Sequence, residues 1–208
     1  MKRKLSNQNP RLFIDLNATF NRAFRDRSTK VKRQLRKSLN DPGLINLYGG
    51  FVIDEIAERT RSGKDYRGKR FERYSSKSLY SPSYKESFAF KIVKPGANKI
   101  DLSLSGAMLS SMESRKRGNQ LMIYFDDSEE AAKAHGHITG HDGAIIRNGP
   151  RKGRRWPVRD FFGIEKDAQA DLLVEAYEVG DFLRTQEADT QELVDVLNLL
   201  RDFNLAGV

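Results

Sequence analysis

Residues 42–61, PGLINLYGGFVIDEIAERTR, constrain the fold more than any other segment of this chain. Ile45, Tyr48, Val52 and Ile56 recur at three- and four-residue steps, with Leu44, Leu47 and Phe51 beside them. That spacing predicts an amphipathic helix whose apolar face is broad enough to lie on a sheet. Its ends are marked as well. Asp41-Pro42-Gly43 interrupts what precedes it and puts proline at the first helical position, and Gly63 is a natural terminator.

The best strand to receive that face is LMIYF at 121–125, and shorter β candidates lie at 88–93 and 102–104. Between them, Met108, Leu109 and Met112 sit at helical spacing, which allows one or two helical turns over 106–114. Residues 17–39 read as a single helix: Phe20, Phe24, Val31, Leu35 and Leu39 mark one face and cations the other. Residues 1–15 read as a basic arm, 62–87 as a long Ser/Lys/Arg/Tyr loop, and the glycine-rich 126–163 again as loop. The last segment reads as two helical pieces, the second opened by a capping box of Asp189 and Glu192.

Together these elements predict an α+β fold: a small, mainly antiparallel sheet packed by helix 42–61 and a C-terminal helix. Helical N- and C-terminal extensions flank it. The chain divides into a basic arm and helix at 1–41, an α+β core at 42–177 and an acidic helical extension at 178–208. At 208 residues the chain is long enough to bury a core unaided. It has no cysteine, which excludes disulfides and thiolate metal sites. No apolar stretch approaches the ~18–20 residues of a membrane span. The basic start at MKRK has no apolar run behind it, so the protein is expected to stay in the cytoplasm after synthesis.

The charge is dipolar. Residues 1–40 carry 12 Lys/Arg against Asp15 and Asp26, for +10, whereas residues 165–208 carry 11 Asp/Glu against three cations, for −8. Such a chain can set its basic front against the acidic back of a neighbouring copy, or turn its basic face to a polyanion. The sequence leaves both open.

Few constellations carry chemistry. His135, His137 and His141 with Asp142 bring all three histidines beside a carboxylate and could hold a transition metal; on a strand the first two would share a side. The plainer reading is a polar, glycine-rich surface turn. Arg151, Lys152, Arg154, Arg155 and Arg159 surround Trp156, a pattern suited to phosphate contact and base stacking, or to a solvated loop anchored by its indole. Arg22, Arg25, Lys32 and Arg36 give the 17–39 helix a cationic face that could meet phosphates or a protein neighbour. Ser62-Gly63-Lys64-Asp65 lacks the spacing of a phosphate loop, and no nucleophile elbow is present.

Four segments in fixed order carry a resemblance. They are IDEIAERTRSGKDYRGKRFERYS (53–75), IDLSLSGAMLSSM (100–112), AAKAHGHITG (131–140) and RRWPVRDFFGI (154–164). The series resembles the phage virion-morphogenesis and tail-completion proteins, which join head to tail in the virion neck. Gly63, Asp65 and Gly68 match the first segment, Gly106 and Met108 the second, and His135 the third; Pro157, Arg159, Phe162 and Gly163 match the last. The match covers about 53–177, and the basic front and the acidic last helix depart from the family pattern.

The resemblance implies a non-enzymatic virion subunit without cofactor or metal. It would act as a homo-oligomeric ring, hexameric with a dodecamer as alternative, beside other neck, connector and tail-terminator proteins. It would not contact membrane and would touch packaged DNA non-specifically. The resemblance also makes Gly68 and Gly106 turn positions, Phe162 an apolar plug before the last helix, Arg159 an interface or cap residue, and His135 a strand-end residue. Two other classes stay open: a basic DNA-binding protein of phage or chromosome, and a metal-dependent nuclease built on the histidines.

Overall fold

The structure is a computed structural model that describes residues 9–71, 106–140 and 158–205, with the side chains of the last helix described through Gln186. The β candidates at 88–93 and 102–104, most of the 62–87 loop, and His141, Asp142, Arg154, Arg155, Trp156 and Pro157 lie outside the described residues. Within them the fold is α+β, with a three-stranded antiparallel sheet and six helices.

The sheet has the order β1-β3-β2. β2 (Met112–Arg117) and β3 (Gln120–Phe125) form a hairpin closed by Gly118-Asn119, with Gly118 at φ 59°. β1 (Leu12–Asp15) pairs with the other edge of β3, placing Ile14 opposite Leu121. β3 is therefore central, and its alternation is clean: Leu121, Ile123 and Phe125 are fully buried.

α3 (Pro42–Arg61) crosses this buried face. It forms as its sequence dictates. The Asp41 carboxylate accepts from the Gly43 amide at 2.8 Å, Pro42 opens the first turn, and Ile45, Tyr48, Val52 and Ile56 are buried. Helix and sheet come closest at Gly49, where a Cβ would stand 2.2 Å from the Ser114 Oγ on β2. Glycine is required there for space.

Antiparallel to α3 runs α6 (Lys166–Leu205). Its Gln169 carbonyl accepts from the Tyr48 hydroxyl at 3.2 Å, and Arg184 reaches Asp41 at 3.8 Å. Burial holds the Tyr48 phenol well above its ordinary pKa. α6 is one unbroken helix rather than two pieces, and it runs straight through the expected capping box at Asp189. Between 181 and 205 there is no Gly or Pro to stop it.

The N-terminal region departs further from expectation. Residues 12–15 are a strand of the sheet rather than arm. The helix expected over 17–39 is two: α1 (Leu16–Ala23), capped by Asp15, and α2 (Thr29–Ser38), capped by the Ser28 hydroxyl. The break lets Phe20 and Phe24 turn inward, where their rings meet Tyr177 of α6 at 6.5 and 5.1 Å. Ile14, Leu16, Phe20 and Phe24 belong to the same core as α3 and β3, so the hydrophobic core crosses the 41/42 boundary drawn from the sequence. α6 likewise crosses 177/178 without interruption.

The helical turns expected over 106–114 are present, and the glycine-rich 126–163 is more regular than expected. Gly106, at φ 74°, leads into α4 (Ala107–Ser110), which buries Met108 and Leu109 before Met112 starts β2. α5 (Ser128–Thr139) replaces an expected loop. Asp127 caps it by accepting from the Glu129 and Glu130 amides at 2.7 and 2.9 Å, bonds that hold its carboxyl below the usual range, and Gly140 ends it at φ 60°.

Candidate functional site

The C-terminal end of α3 is where distant motif segments meet. Ser62 caps the helix, Gly63 takes φ 78°, and the Gly63 and Lys64 amides return to the Thr60 and Arg59 carbonyls at 2.9 and 3.2 Å. This double bond pattern is a Schellman motif, and its left-handed residue is why glycine stands at 63. The chain then folds on Asp65, whose carboxylate accepts from the Arg67 and Lys69 amides at 3.0 and 2.8 Å. Gly68, at φ 75°, completes that turn, and the Phe71 amide closes the loop onto the Gly63 carbonyl at 2.8 Å.

This loop is clasped to residues 159–164, which lead into α6. The Tyr66 amide donates to the Asp160 carbonyl at 3.1 Å, and a Cβ on Gly163 would stand 2.8 Å from the Tyr66 ring. Arg59, one turn back on α3, donates to the Phe161 and Gly163 carbonyls at 3.0 and 2.6 Å and pairs with Glu55 at 3.4 Å. Burial lowers the Arg59 pKa from its usual value, with Glu55 opposing the shift. Burial also raises the Asp160 carboxyl, against the pull of Arg67. Phe162 is buried against the Phe125 ring at 4.9 Å. The outer side of the clasp exposes Arg61, Lys64, Arg67, Lys69 and Arg70.

Arg159 requires a correction. It is 4% exposed, its amide donates to the His137 carbonyl at 2.8 Å, and its guanidinium lies 3.4 Å from the His137 ring nitrogen Nδ1. It ties the end of α5 to the clasp and cannot line a channel or a subunit surface. The histidine cluster is corrected as well. His135 and His137 lie on a helix, where two positions make roughly 200° of rotation, so they do not share a face. His135 is thus a helix residue rather than a strand end. Among the described residues no three His, Cys, Asp or Glu stand together as a metal site.

The basic front is partly engaged. Arg22 pairs with Asp167 of α6 at 2.6 Å, and Arg36 bonds Asn21 at 2.7 Å while lying 5.1 Å over the Phe20 ring. Lys32 donates to the Arg25 carbonyl at 2.7 Å, and the Arg25 side chain is exposed. α2 carries five cations and no carboxylate, and it buries no residue. Lys32, Arg33, Arg36 and Lys37 line an open concavity of about 480 Å3 on its outer face.

Sequence reasoning missed a second concavity. A groove of about 800 Å3 runs between α2 and α6, floored by Phe24, Val31, Leu35, Val174 and Tyr177. The Tyr177 hydroxyl donates to the Leu35 carbonyl at 2.6 Å across it, and burial pushes that phenol up to about 12. The only sequence signal was the coincidence of Val31 and Leu35 on one side of an otherwise cationic helix. No family model, no curated protein and no solved structure matches the chain.

Proposed function

We propose that the chain is a structural, non-enzymatic subunit of a tailed-phage neck, a tail-completion or head–tail connector protein. Copies would form a ring that joins head to tail around the DNA path. One observation carries this reading. Gly63, Asp65 and Gly68, from the first family-like segment, fold into a loop that packs on Asp160 and Gly163, from the last, about 100 residues away. Residues picked by resemblance thus serve one structural purpose, and they are glycines and a turn-forming carboxylate rather than a nucleophile and a base. Gly106 and Met108, from the second segment, sit in the turn that leads into β2 and in the core.

The work of such a subunit is mechanical and electrostatic. A head-to-tail interface closes into a ring when its rotation permits, and the uneven charge of the chain gives unlike surfaces to join. A hexamer is expected, with a dodecamer as the alternative, assembled in the host cytoplasm and retained in the virion beside connector and tail-terminator proteins. Native mass spectrometry across a concentration series tests the ring. Antibody labelling of purified virions at the head–tail junction tests its place. A monomer at every concentration, together with unlabelled necks, would sink the proposal.

The concavity on α2, lined by four cations and no carboxylate, favours a second reading as a DNA-binding protein. On that reading duplex affinity falls with salt at a slope of about −0.9 for each phosphate neutralised. Affinity that stays weak at low salt decides for the ring.

A further inference from the structure

We infer that the second half of α6, residues 185–205, docks in the groove between α2 and α6 of a neighbouring copy, and that this head-to-tail contact joins the subunits. The inference rests on the ring reading and names its surfaces.

The first observation is a helix that continues past the start of α3. Arg184 meets Asp41 at the start of α3, and beyond it α6 continues for 21 residues, 185–205, or about 30 Å. Just before Arg184, Phe182 and Leu183 are 62% and 46% exposed. The sequence that follows holds Leu193, Val196, Leu200 and Phe203 at the three-and-four spacing of one helical face. A solvated helix does not sustain such a stripe; it marks an interface.

The second observation is a receptor of matching chemistry. The groove has an apolar floor, and Val31, on its α2 wall, is 37% exposed. Its α6 wall spans positions 174–185, room for about three helical turns. Glu178 and Asp181 on that wall stand beside Arg184, with Arg27 on the opposite side, so the rim is balanced. The net charge of the neighbourhood comes from α2, at +5 over residues 29–38. Residues 185–205 carry five carboxylates against Arg201, for −4.

Continuity fixes the occupant. One wall of the groove is α6 itself, and an unbroken helix cannot turn back into a groove that its own residues 174–185 build. The docking helix must come from another copy. Pairing the second halves of two α6 helices with each other would set −4 against −4, whereas the groove is neutral at its rim and lies beside the +5 of α2. Groove and helix are different surfaces, so the contact is heterologous and can propagate to closure.

The chain has no cysteine, so single ones can be placed. Chains carrying Val31→Cys are mixed with chains carrying Leu193→Cys, Leu197→Cys or Leu200→Cys and treated with a short bismaleimide. The expected result is a covalent heterodimer from at least one mixture, with far less product from any single variant. Efficient dimers from the α6 variants alone overturn the inference in favour of helix-to-helix pairing. A wild-type ring whose mixtures never cross-link overturns these surfaces and leaves the ring reading standing, whereas a wild-type monomer overturns both. As an independent arm, Arg33→Glu with Lys37→Glu is expected to weaken self-association by about tenfold or more. Glu192→Lys with Asp195→Lys in the partner chains should recover part of it. Unchanged assembly in both charge-reversed proteins counts against the contact.

Discussion

α2 and α3 both lie beside α6, with opposite chemistry: α3 packs along it, whereas α2 meets it across a groove. α3 buries eight residues, among them Tyr48, Val52 and Ile56 at full burial, and meets β2 so closely that Gly49 has no room for a side chain. α2 buries none and is held mainly by polar bonds: Tyr177 to the Leu35 carbonyl, Arg36 to Asn21, and Lys116 to the Leu39 carbonyl at 2.6 Å just past its end. The difference teaches how the chain divides its labour. α3 is committed to the fold through apolar area and close contact, which leave nothing to offer a partner. α2 is fastened at a few points, and its cations and the groove beside it stay available. Segments held this way open locally at lower free energy than core helices.

The largest expected effect falls on α3. Ile56→Ala removes a fully buried side chain and should cost about 2–5 kcal/mol in urea unfolding. Gly49→Val drives branched carbons into Ser114 and should cost about 1–3 kcal/mol or more. Neighbouring Gly50 has open space at its Cβ position, and Gly50→Ala should be neutral or stabilising by up to ~1 kcal/mol. A cost below about 1 kcal/mol for Ile56→Ala would break the comparison outright.

Next comes the clasp. Arg59→Ala leaves the Phe161 and Gly163 carbonyls without their charged donor and should cost about 1.5–3 kcal/mol, with Arg59→Lys recovering only part because its single nitrogen cannot serve both carbonyls, as Nη2 does, and also pair with Glu55, as Nη1 does. Gly163→Ala must displace the Tyr66 ring and should cost about 1–3 kcal/mol. If both variants unfold like wild type, the clasp is not what holds the motif segments together.

Much of the first region was legible in the sequence, and little of the second. The α3 stripe, Asp41, Pro42 and Gly63 announce themselves because large apolar residues at a 3.6 period and special end residues are local signals. β3 is legible for the same reason. α5 is not, since its buried face is Ala131, Ala134 and Gly136, small residues that pack closely without making an apolar stripe. β2 reads as polar because it is an edge strand of sequence MESRKR, and charge at an edge is protective. Four residues of β1 are too few to show alternation. At the clasp, Gly63, Asp65, Gly68 and Gly163 stood out only through the resemblance, and each sits at a turn or a close contact. Arg159 was read as an interface or cap residue and is instead buried against His137, and Arg59 was missed because its acceptors lie 102 and 104 residues away. The groove needs α2 and α6 side by side, a pairing that no local pattern encodes.

Tyr177 marks the join between α2 and α6, and its effect should be intermediate. Tyr177→Phe loses the bond to the Leu35 carbonyl, at a cost of about 1 kcal/mol. The same phenol gives the join a pH dependence. Burial pushes its pKa up to about 12, against an unfolded value of about 10. The neutral form is favoured on folding, so its contribution is complete below about pH 10 and fades as pH climbs towards 12. Thermal melts between those limits should fall for the wild type and fall less for Tyr177→Phe. Equal slopes would mean that the Tyr48 phenol, also raised by burial, dominates the alkaline loss.

The smallest effect on folding, and the one that sharpens the comparison most, is expected on α2 itself. Lys30→Ala, Arg33→Ala and Lys37→Ala remove exposed cations from a helix that buries nothing, so each should shift stability by no more than about 0.5 kcal/mol. Alanine has the higher helix propensity, and removing like charges at i and i+3 or i+4 relieves repulsion, so the sign should lean towards stabilisation. Amide exchange separates stability from commitment: α2 amides should exchange through local opening at a free energy well below that of α3, in wild type and variants alike. A sequence that keeps Lys30, Arg33 and Lys37 on one short helix, where alanines would fold at least as well, is holding them for something other than the fold. Exchange in α2 as slow as in α3, or losses of 2 kcal/mol or more from these substitutions, would show instead that α2 is a core helix whose charges are structural.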